Sequence, residues 1–223
     1  MGTPIINYNE LKEYCLDNGA DLFGVADITK IKDNFLISKA ALKKIDRAVC
    51  IGVRLSGLVL EEIKDAPTRL YFHHYRTVNT FLDQLSFKIS GYIQKRGYQA
   101  LPVPASQIVD WQKQSAHLSH KHIGHLAGLG WIGRNNLLVN SELGSQFRLS
   151  CILTNVPLKA DQPKENTCQE CYLCVKVCPA QAIKKSPQDF NHLKCFEKLK
   201  EFQKVRQIEQ YICGVCVNIC KGK

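Results

Sequence analysis

The residues best suited to chemistry in this sequence are its cysteines, eight of the eleven lying between residues 168 and 220. Four of them occur in "CQECYLCVKVCP", with the spacing C-x2-C-x2-C-x3-C-P. Structural zinc is usually held by two separate C-x2-C pairs. A third cysteine three residues after the first pair, and a fourth four residues later, do not fit that pattern. The spacing therefore favours iron-sulfur clusters, with zinc or a single cluster as the alternatives.

The last three cysteines form a shorter pattern, C-x2-C-x3-C, in "CGVCVNIC". Bacterial ferredoxins with two 4Fe-4S clusters use three thiolates of one run for one cluster and the fourth for the other. Cys195 lies 18 residues before Cys213 and can supply the ligand that the shorter pattern lacks. This exchange predicts cluster 1 on Cys168, Cys171, Cys174 and Cys220, and cluster 2 on Cys178, Cys195, Cys213 and Cys216.

The sequence predicts both helices and strands as the elements that position these thiols. Apolar residues recur every three or four positions from Pro67 to Gly97, which predicts a long amphipathic helix. "LFGVAD", "RAVCIGVR" and "FRLSCILTNV" predict buried strands, and "YQALPVP" predicts an edge strand. The polar stretch "KADQPKENT" then precedes the cysteines. We expect an α+β protein, with an α/β layered domain over 1–160 and a two-cluster (8Fe) ferredoxin-like domain over 161–223.

Composition narrows the classes of protein further. With 45% hydrophobic and 22% charged residues, the chain is typical of soluble globular proteins. The N-terminus lacks the pattern of a secretory signal, and no apolar run is long enough to cross a membrane, so we expect a cytoplasmic protein with no membrane partner. The net charge of +10 is not gathered into an arginine-rich block, so charge alone does not require a nucleic acid.

A glycine-rich segment, "HLAGLGWIGRNNLL", covers residues 125–138. It is not a dinucleotide fingerprint, because it follows a predicted helix over 116–129 where that fingerprint follows a strand. On its own it predicts the end of a helix and a tight turn.

This segment, extended to "AGLGWIGRNNLLVNSELGSQF" and followed by the two cysteine patterns, resembles the epoxyqueuosine reductase family over about residues 100–220. The resemblance implies an α/β domain that holds a corrinoid (cobalamin) against an 8Fe ferredoxin-like domain. Electrons from a reduced ferredoxin or flavoprotein would pass through the clusters to cobalt, and an epoxide oxygen of a modified tRNA nucleoside would be removed. The residues it implies near the corrinoid or its cluster are Gly130, Trp131, Gly133, Arg134, Asn135 and Ser145.

Two departures from the family pattern bear on the substrate. The family has an aspartate before the glycine-rich turn that is regarded as the proton donor, whereas "QKQSAHLSHKH" has Gln114 or Ser115 at about that place. His117 is the candidate that could replace it, and the alternative is that the histidines there are only solvated or hydrogen-bonded. Family members continue into a helical-repeat domain that helps to bind tRNA. We therefore expect a short form, for which a small molecule or a corrinoid is also a candidate substrate.

Three functions fit these observations. The first is a reductase whose clusters feed a corrinoid. The second is an electron-transfer or corrinoid-activating protein with no substrate of its own. In the third, the clusters only hold the C-terminal region together.

Overall fold

The computed structural model describes residues 6–106, 108–110, 114–165 and 168–222. The chain divides into two compact units. We call the first the sheet unit, which consists of Met1–Val53, Asn79–Leu129 and Arg148–Lys164. We call the second the cysteine unit, which consists of Arg54–Val78, Gly130–Phe147 and Glu165–Lys223. Each unit combines segments that are distant in the sequence. The two continuous domains predicted over 1–160 and 161–223 stay a prediction.

Mixed helices and strands confirm the predicted α+β class. The strands are β1 Leu22–Asp27, β2 Arg47–Arg54, β3 Ala100–Val103, β4 Trp131–Ile132, β5 Leu138–Val139 and β6 Phe147–Thr154. The α-helices are α1 Tyr8–Asp17, α2 Lys39–Leu42, α3 Gly57–Glu61, α4 Arg69–Gln94, α5 His120–Leu126, α6 Leu173–Val177, α7 His192–Val205 and α8 Val215–Ile219. Short 3-10 helices cover Lys32–Asn34 and Pro187–Asp189.

The sheet unit is organised by a four-stranded sheet in the order β1-β2-β6-β3. β1 pairs antiparallel with β2, and β3 pairs antiparallel with β6. β3 lies at the edge, as predicted, and its Pro102 is opposite Ile152. An edge position tolerates this proline because one side of the strand needs no N–H donor.

Three buried cysteines of the sheet unit do not belong to either predicted set of cluster ligands. Cys15, Cys50 and Cys151 are all buried. The Cys50 and Cys151 sulfurs lie 3.4 Å apart, and burial raises the pKa of Cys151 well above its usual value. Burial also raises the pKa of Cys15 to about 12. The Cys15 and Cys151 thiols therefore stay protonated and behave as small apolar side chains.

The predicted long helix is confirmed as α4, whose 26 residues include the fully buried Leu82, Ile89 and Ile93. The helix predicted over 116–129 is shorter and begins at His120. Ser119 is its N-cap and accepts a hydrogen bond from the His122 N–H, so the chain before Ser119 is free to take another path. Among the described residues, no helix has the length and apolar character needed to span a membrane.

Candidate metal centre

Two short helices of the cysteine unit carry the thiols in matching positions. α6 contains Cys174 and ends before Cys178, while α8 contains Cys216 and ends before Cys220. The two helices pack against each other. Cys195 comes from α7, which begins at His192 after its N-cap Asn191, whose side chain accepts a hydrogen bond from the Lys194 N–H. The similar sequences "LCVKVC" and "VCVNIC" thus give two equivalent turns, each with one thiol inside the helix and one just after it.

The thiols predicted for cluster 1 lie within electrostatic reach of one another. Burial, together with the neighbouring Cys220, Cys168 and Cys171 thiols, raises the pKa of Cys174 to about 11. The Cys168 thiol also raises the pKa of Cys220. The backbone supports this grouping, because the Cys171 N–H donates to the Cys168 carbonyl at 2.8 Å and closes a tight turn.

The thiols predicted for cluster 2 interact in the same way. Burial raises the pKa of Cys195 to about 11 and that of Cys213 to about 12. Cys178 acts on both of these thiols, and Cys195 also acts on Cys213. Burial raises the pKa of Cys216 well above its usual value, and Cys213, Cys195, Cys174 and Cys178 add to this.

These interactions group the cysteines as the spacing does, with Cys216 and Cys174 linking the two sets. The ligand assignments stay predictions. The chemistry of the donors fits two iron-sulfur clusters, since eight thiols lie in one unit and iron would take the place of their protons. In the part of the chain that is described, no three His, Cys, Asp or Glu side chains form a group that could hold a single metal ion.

The glycine-rich segment and the hairpin that follows it form one side of the cluster 1 thiols. We call residues 130–147 the cap. Trp131 is buried, and its indole N–H donates to the Cys168 sulfur at 3.2 Å. A Cβ atom at Gly133 would lie 3.6 Å from the same sulfur. The turn between β4 and β5 therefore lies against Cys168.

The far end of the cap reaches Cys220. The Ser145 N–H donates to the Cys220 carbonyl at 3.1 Å, and the Asn135 amide donates to the Ser145 hydroxyl at 3.2 Å. Burial raises the pKa of the Cys220 thiol, while a hydrogen bond from the Ser145 side chain lowers it. Asn135 and Ser145 are both buried, so this chain of bonds is shielded from water.

Arg134 connects the cap by hydrogen bonds to the loop that contains Cys168 and Cys171. Its guanidinium donates to the carbonyl of Lys185 at 2.6 Å, to that of Cys171 at 3.3 Å and to that of Gln169. The same group stacks over the Tyr172 ring, 4.4 Å from its centroid. A planar guanidinium with several N–H groups can satisfy three carbonyls at once, which a lysine ammonium does with less directional control.

The structure therefore brings the six predicted cofactor residues together on the cluster 1 side. The side chains of Trp131, Arg134 and Ser145 have partners among the thiols or their loops, and the Asn135 amide donates to the Ser145 hydroxyl. Contact of these residues with a corrinoid stays a prediction.

His117 lies elsewhere, in the sheet unit. Its Nδ1 hydrogen-bonds to the Leu36 carbonyl at 2.8 Å, and its own carbonyl accepts from the Leu36 N–H at 2.9 Å. It lines a cavity of about 430 Å³ together with Gln114, Ser115 and His122. The other ring nitrogen, Nε2, is then the atom of His117 available for proton transfer.

An acid that the sequence analysis overlooked lies beside this cavity. Asp110 forms an isolated β-bridge with Ser115, in which the Ser115 N–H donates to the Asp110 carbonyl at 3.1 Å. Asp110 lies just before the stretch 112–122, where the family pattern indicates the acid. Its position five residues before Ser115 is the sequence signal that could have found it.

Comparison with known proteins places these features in context. A 4Fe-4S binding domain matches residues 163–184, which include the whole first cysteine run. The epoxyqueuosine reductase of Vibrio cholerae is 34% identical over 110 residues, which are 49% of this chain and 27% of that protein. The Escherichia coli epoxyqueuosine reductase is 33% identical over 115 residues, 48% of this chain and 30% of that protein. The chain resembles epoxyqueuosine reductases. The predicted resemblance is confirmed, and the match spans about a third of the length of these relatives.

Solved structures establish the same fold. An epoxyqueuosine reductase crystallised with an epoxyqueuosine-modified tRNA stem loop has a TM-score of 0.66 and 21% identity, covering 95% of this chain and 64% of that chain. A catabolic reductive dehalogenase in complex with 3-bromo-4-hydroxybenzoic acid has a TM-score of 0.75 and 17% identity, covering 95% of this chain and 31% of that one. These similarities support an iron-sulfur protein of the oxidoreductase class.

Proposed function

We propose that this chain is an iron-sulfur reductase similar to epoxyqueuosine reductase, which passes single electrons through two 4Fe-4S clusters to a corrinoid. The observation that carries the proposal is the pair of adjacent thiol sets, joined by the interaction between Cys174 and Cys216. When bound there, two such clusters would accept and release electrons one at a time.

The residues of each set would hold their clusters in different ways. Cys168, Cys171 and Cys174 come from one turn and the start of α6, so they approach cluster 1 from one side, and Cys220 approaches from the end of α8. Cys178 belongs with the second set, and its sulfur accepts a hydrogen bond from the Ala182 N–H at 3.3 Å. The run of four thiols thus serves both clusters and keeps them close enough for rapid electron transfer.

The corrinoid as electron acceptor is supported by the relatives. The sequence resemblance is to epoxyqueuosine reductases, and one structure with this fold, at a TM-score of 0.74, is a dehalogenase described as B12-dependent. By the same argument we propose the epoxide of a modified tRNA nucleoside as the substrate. Asp110, beside Ser115, and His117, in the cavity wall, are the two candidate proton donors.

Binding of cobalamin to the reconstituted protein tests this proposal. The clusters are assembled anaerobically, about eight irons per chain are verified, and cobalamin is titrated while its visible absorption is followed. We expect saturable binding and, after reduction of the clusters, the spectrum of reduced cobalt. Intact clusters without any cobalamin binding would refute the reductase. The proton donor is tested by comparing Asp110→Asn with His117→Gln, and the true donor is the one whose loss stops turnover without changing cobalamin binding.

A second function is favoured by one observation. The side chains predicted near the corrinoid or its cluster are engaged on the cluster 1 side, as expected for a carrier that only moves electrons. Such a protein would reduce a corrinoid held by a partner and would have no substrate of its own. Full cluster loading, reduction of an external corrinoid protein and absence of cobalamin binding would together favour this carrier over the reductase.

A further inference from the structure

Among the described residues, the contacts of the cap with the cysteines are with ligands predicted for one cluster. Its Trp131 N–H points at the sulfur of Cys168, and its Arg134 guanidinium donates to the carbonyl of Cys171. Both cysteines are predicted ligands of cluster 1. Ser145, at the other end of the cap, is bonded to the backbone of Cys220, the fourth predicted ligand of that cluster.

Each of these groups favours added negative charge on cluster 1. Reduction places one more electron on a cluster and its thiolates, and potentials rise with hydrogen bonds to the sulfurs and with nearby positive charge. Trp131 is only 5% exposed, so its N–H acts where water screens little. The acceptors of Arg134 are carbonyl oxygens, which carry no net charge, so its positive charge is not cancelled by them. Glu170 in the same loop is exposed, where solvent and salt screen its charge.

The environment of cluster 2 differs. The donors to its sulfurs among the described residues include the backbone N–H groups of Ala182 on Cys178 and of Val215 on Cys213. The ammonium of Lys198 acts on Cys213, but it also lies 2.5 Å from the Glu201 carboxylate. That ion pair largely cancels the field of Lys198 at the cluster.

We infer that Trp131 and Arg134 act as positioning residues that raise the reduction potential of cluster 1 above that of cluster 2. An electron shared between the two clusters then resides on cluster 1. The inference rests on the proposed function for the two clusters, and it adds which of them holds the electron. It also assigns the glycine-rich segment to tuning a cluster, where the resemblance left the choice between corrinoid and cluster open.

Potentiometric titration of the full chain with dithionite and redox mediators, followed by EPR spectroscopy, tests this inference. The wild type should show two one-electron steps. In Arg134→Gln the step at higher potential should shift so that the ratio of reduced to oxidised cluster falls roughly tenfold at a fixed potential, equivalent to 59 mV for one electron. Trp131→Phe keeps an aromatic ring and removes the N–H donor. In this variant the ratio of reduced to oxidised cluster for the same step should fall by roughly threefold at a fixed potential. The potential of the higher step in Arg134→Lys should lie between the values for the wild type and Arg134→Gln.

Lys185→Gln is the matched control, because it removes one positive charge from an exposed side chain whose backbone carbonyl alone binds Arg134. We expect no measurable shift in either step. Unchanged potentials in Trp131→Phe and Arg134→Gln, or a shift of the lower step only, would overturn the inference while leaving the clusters in place. Iron analysis is performed first on every variant. A wild type that binds zinc, or only one cluster, would overturn the proposed function and this inference with it.

Discussion

Replacing Gly144 with alanine should remove cluster 1 and spare cluster 2. Gly144 has a φ of +58°, which lies in the left-handed region. A Cβ atom there would lie 1.9 Å from the Cys220 carbonyl oxygen and 2.5 Å from the Gly222 nitrogen. Both contacts are with backbone, so no flexible side chain can move aside to make room. The cap and the Cys220 backbone must separate instead.

The magnitude follows from these distances. The cap would have to move by about 1.1 Å to restore a separation of 3.0 Å between the Cβ and the Cys220 oxygen. That movement breaks the 3.1 Å bond from the Ser145 N–H to the same carbonyl, at a cost of about 1 kcal/mol. The left-handed conformation adds about 1–2 kcal/mol for a residue with a Cβ. A penalty of about 2–3 kcal/mol then falls on the region that holds Cys220.

Iron analysis after anaerobic reconstitution measures the effect. We expect about eight irons per chain in the wild type and about four in Gly144→Ala, with EPR showing one remaining cluster. Gly91→Ala is the control, because a Cβ there meets nothing within 4 Å and the residue lies inside α4. It should keep all the iron and stabilise the protein by about 1 kcal/mol. A full set of irons with an unchanged EPR spectrum in Gly144→Ala would refute the reasoning.

Three further predictions test other parts of the molecule. Cys195→Ala should lose about four irons and keep the cluster 1 signal, and loss of neither cluster would show that Cys195 is not a ligand. Gly24→Ala should lower the thermal midpoint of the sheet unit by several degrees, since its Cβ would lie 2.1 Å from the Ala127 carbonyl oxygen; an unchanged midpoint would contradict that packing. Burial lowers the pKa of His120 to about 4, while its Nε2 donates to the Pro104 carbonyl and its Nδ1 is buried without a partner among the described residues. The unfolded chain binds this proton from about pH 6.5 downward and the folded chain only near pH 4, so stability should fall across that window by up to about 3 kcal/mol. Carbon-13 NMR of the imidazole checks the pKa, and urea midpoints at pH 7 and pH 5 should differ less in His120→Gln than in the wild type.

The features that the sequence predicted well depend on residues close together in the chain. The α4 helix was predicted because its apolar residues recur at helical spacing, and this periodicity survives any tertiary arrangement. β3 was predicted as an edge strand because Pro102 cannot donate to a neighbour. The helix over 116–129 was predicted too long, since apolar spacing alone does not show that Ser119 caps the helix at His120.

The cysteine spacing likewise predicted a metal centre and two sets of thiols, because neighbouring ligands must wrap one cluster within the reach of a short loop. The role of the cap depended on contacts that spacing does not encode. Trp131 meets Cys168 across 37 positions, and Arg134 meets Lys185 across 51. Which distant residues donate to a sulfur or to its loop depends on the path of the whole backbone, and only the tertiary structure could place the glycine-rich segment against cluster 1.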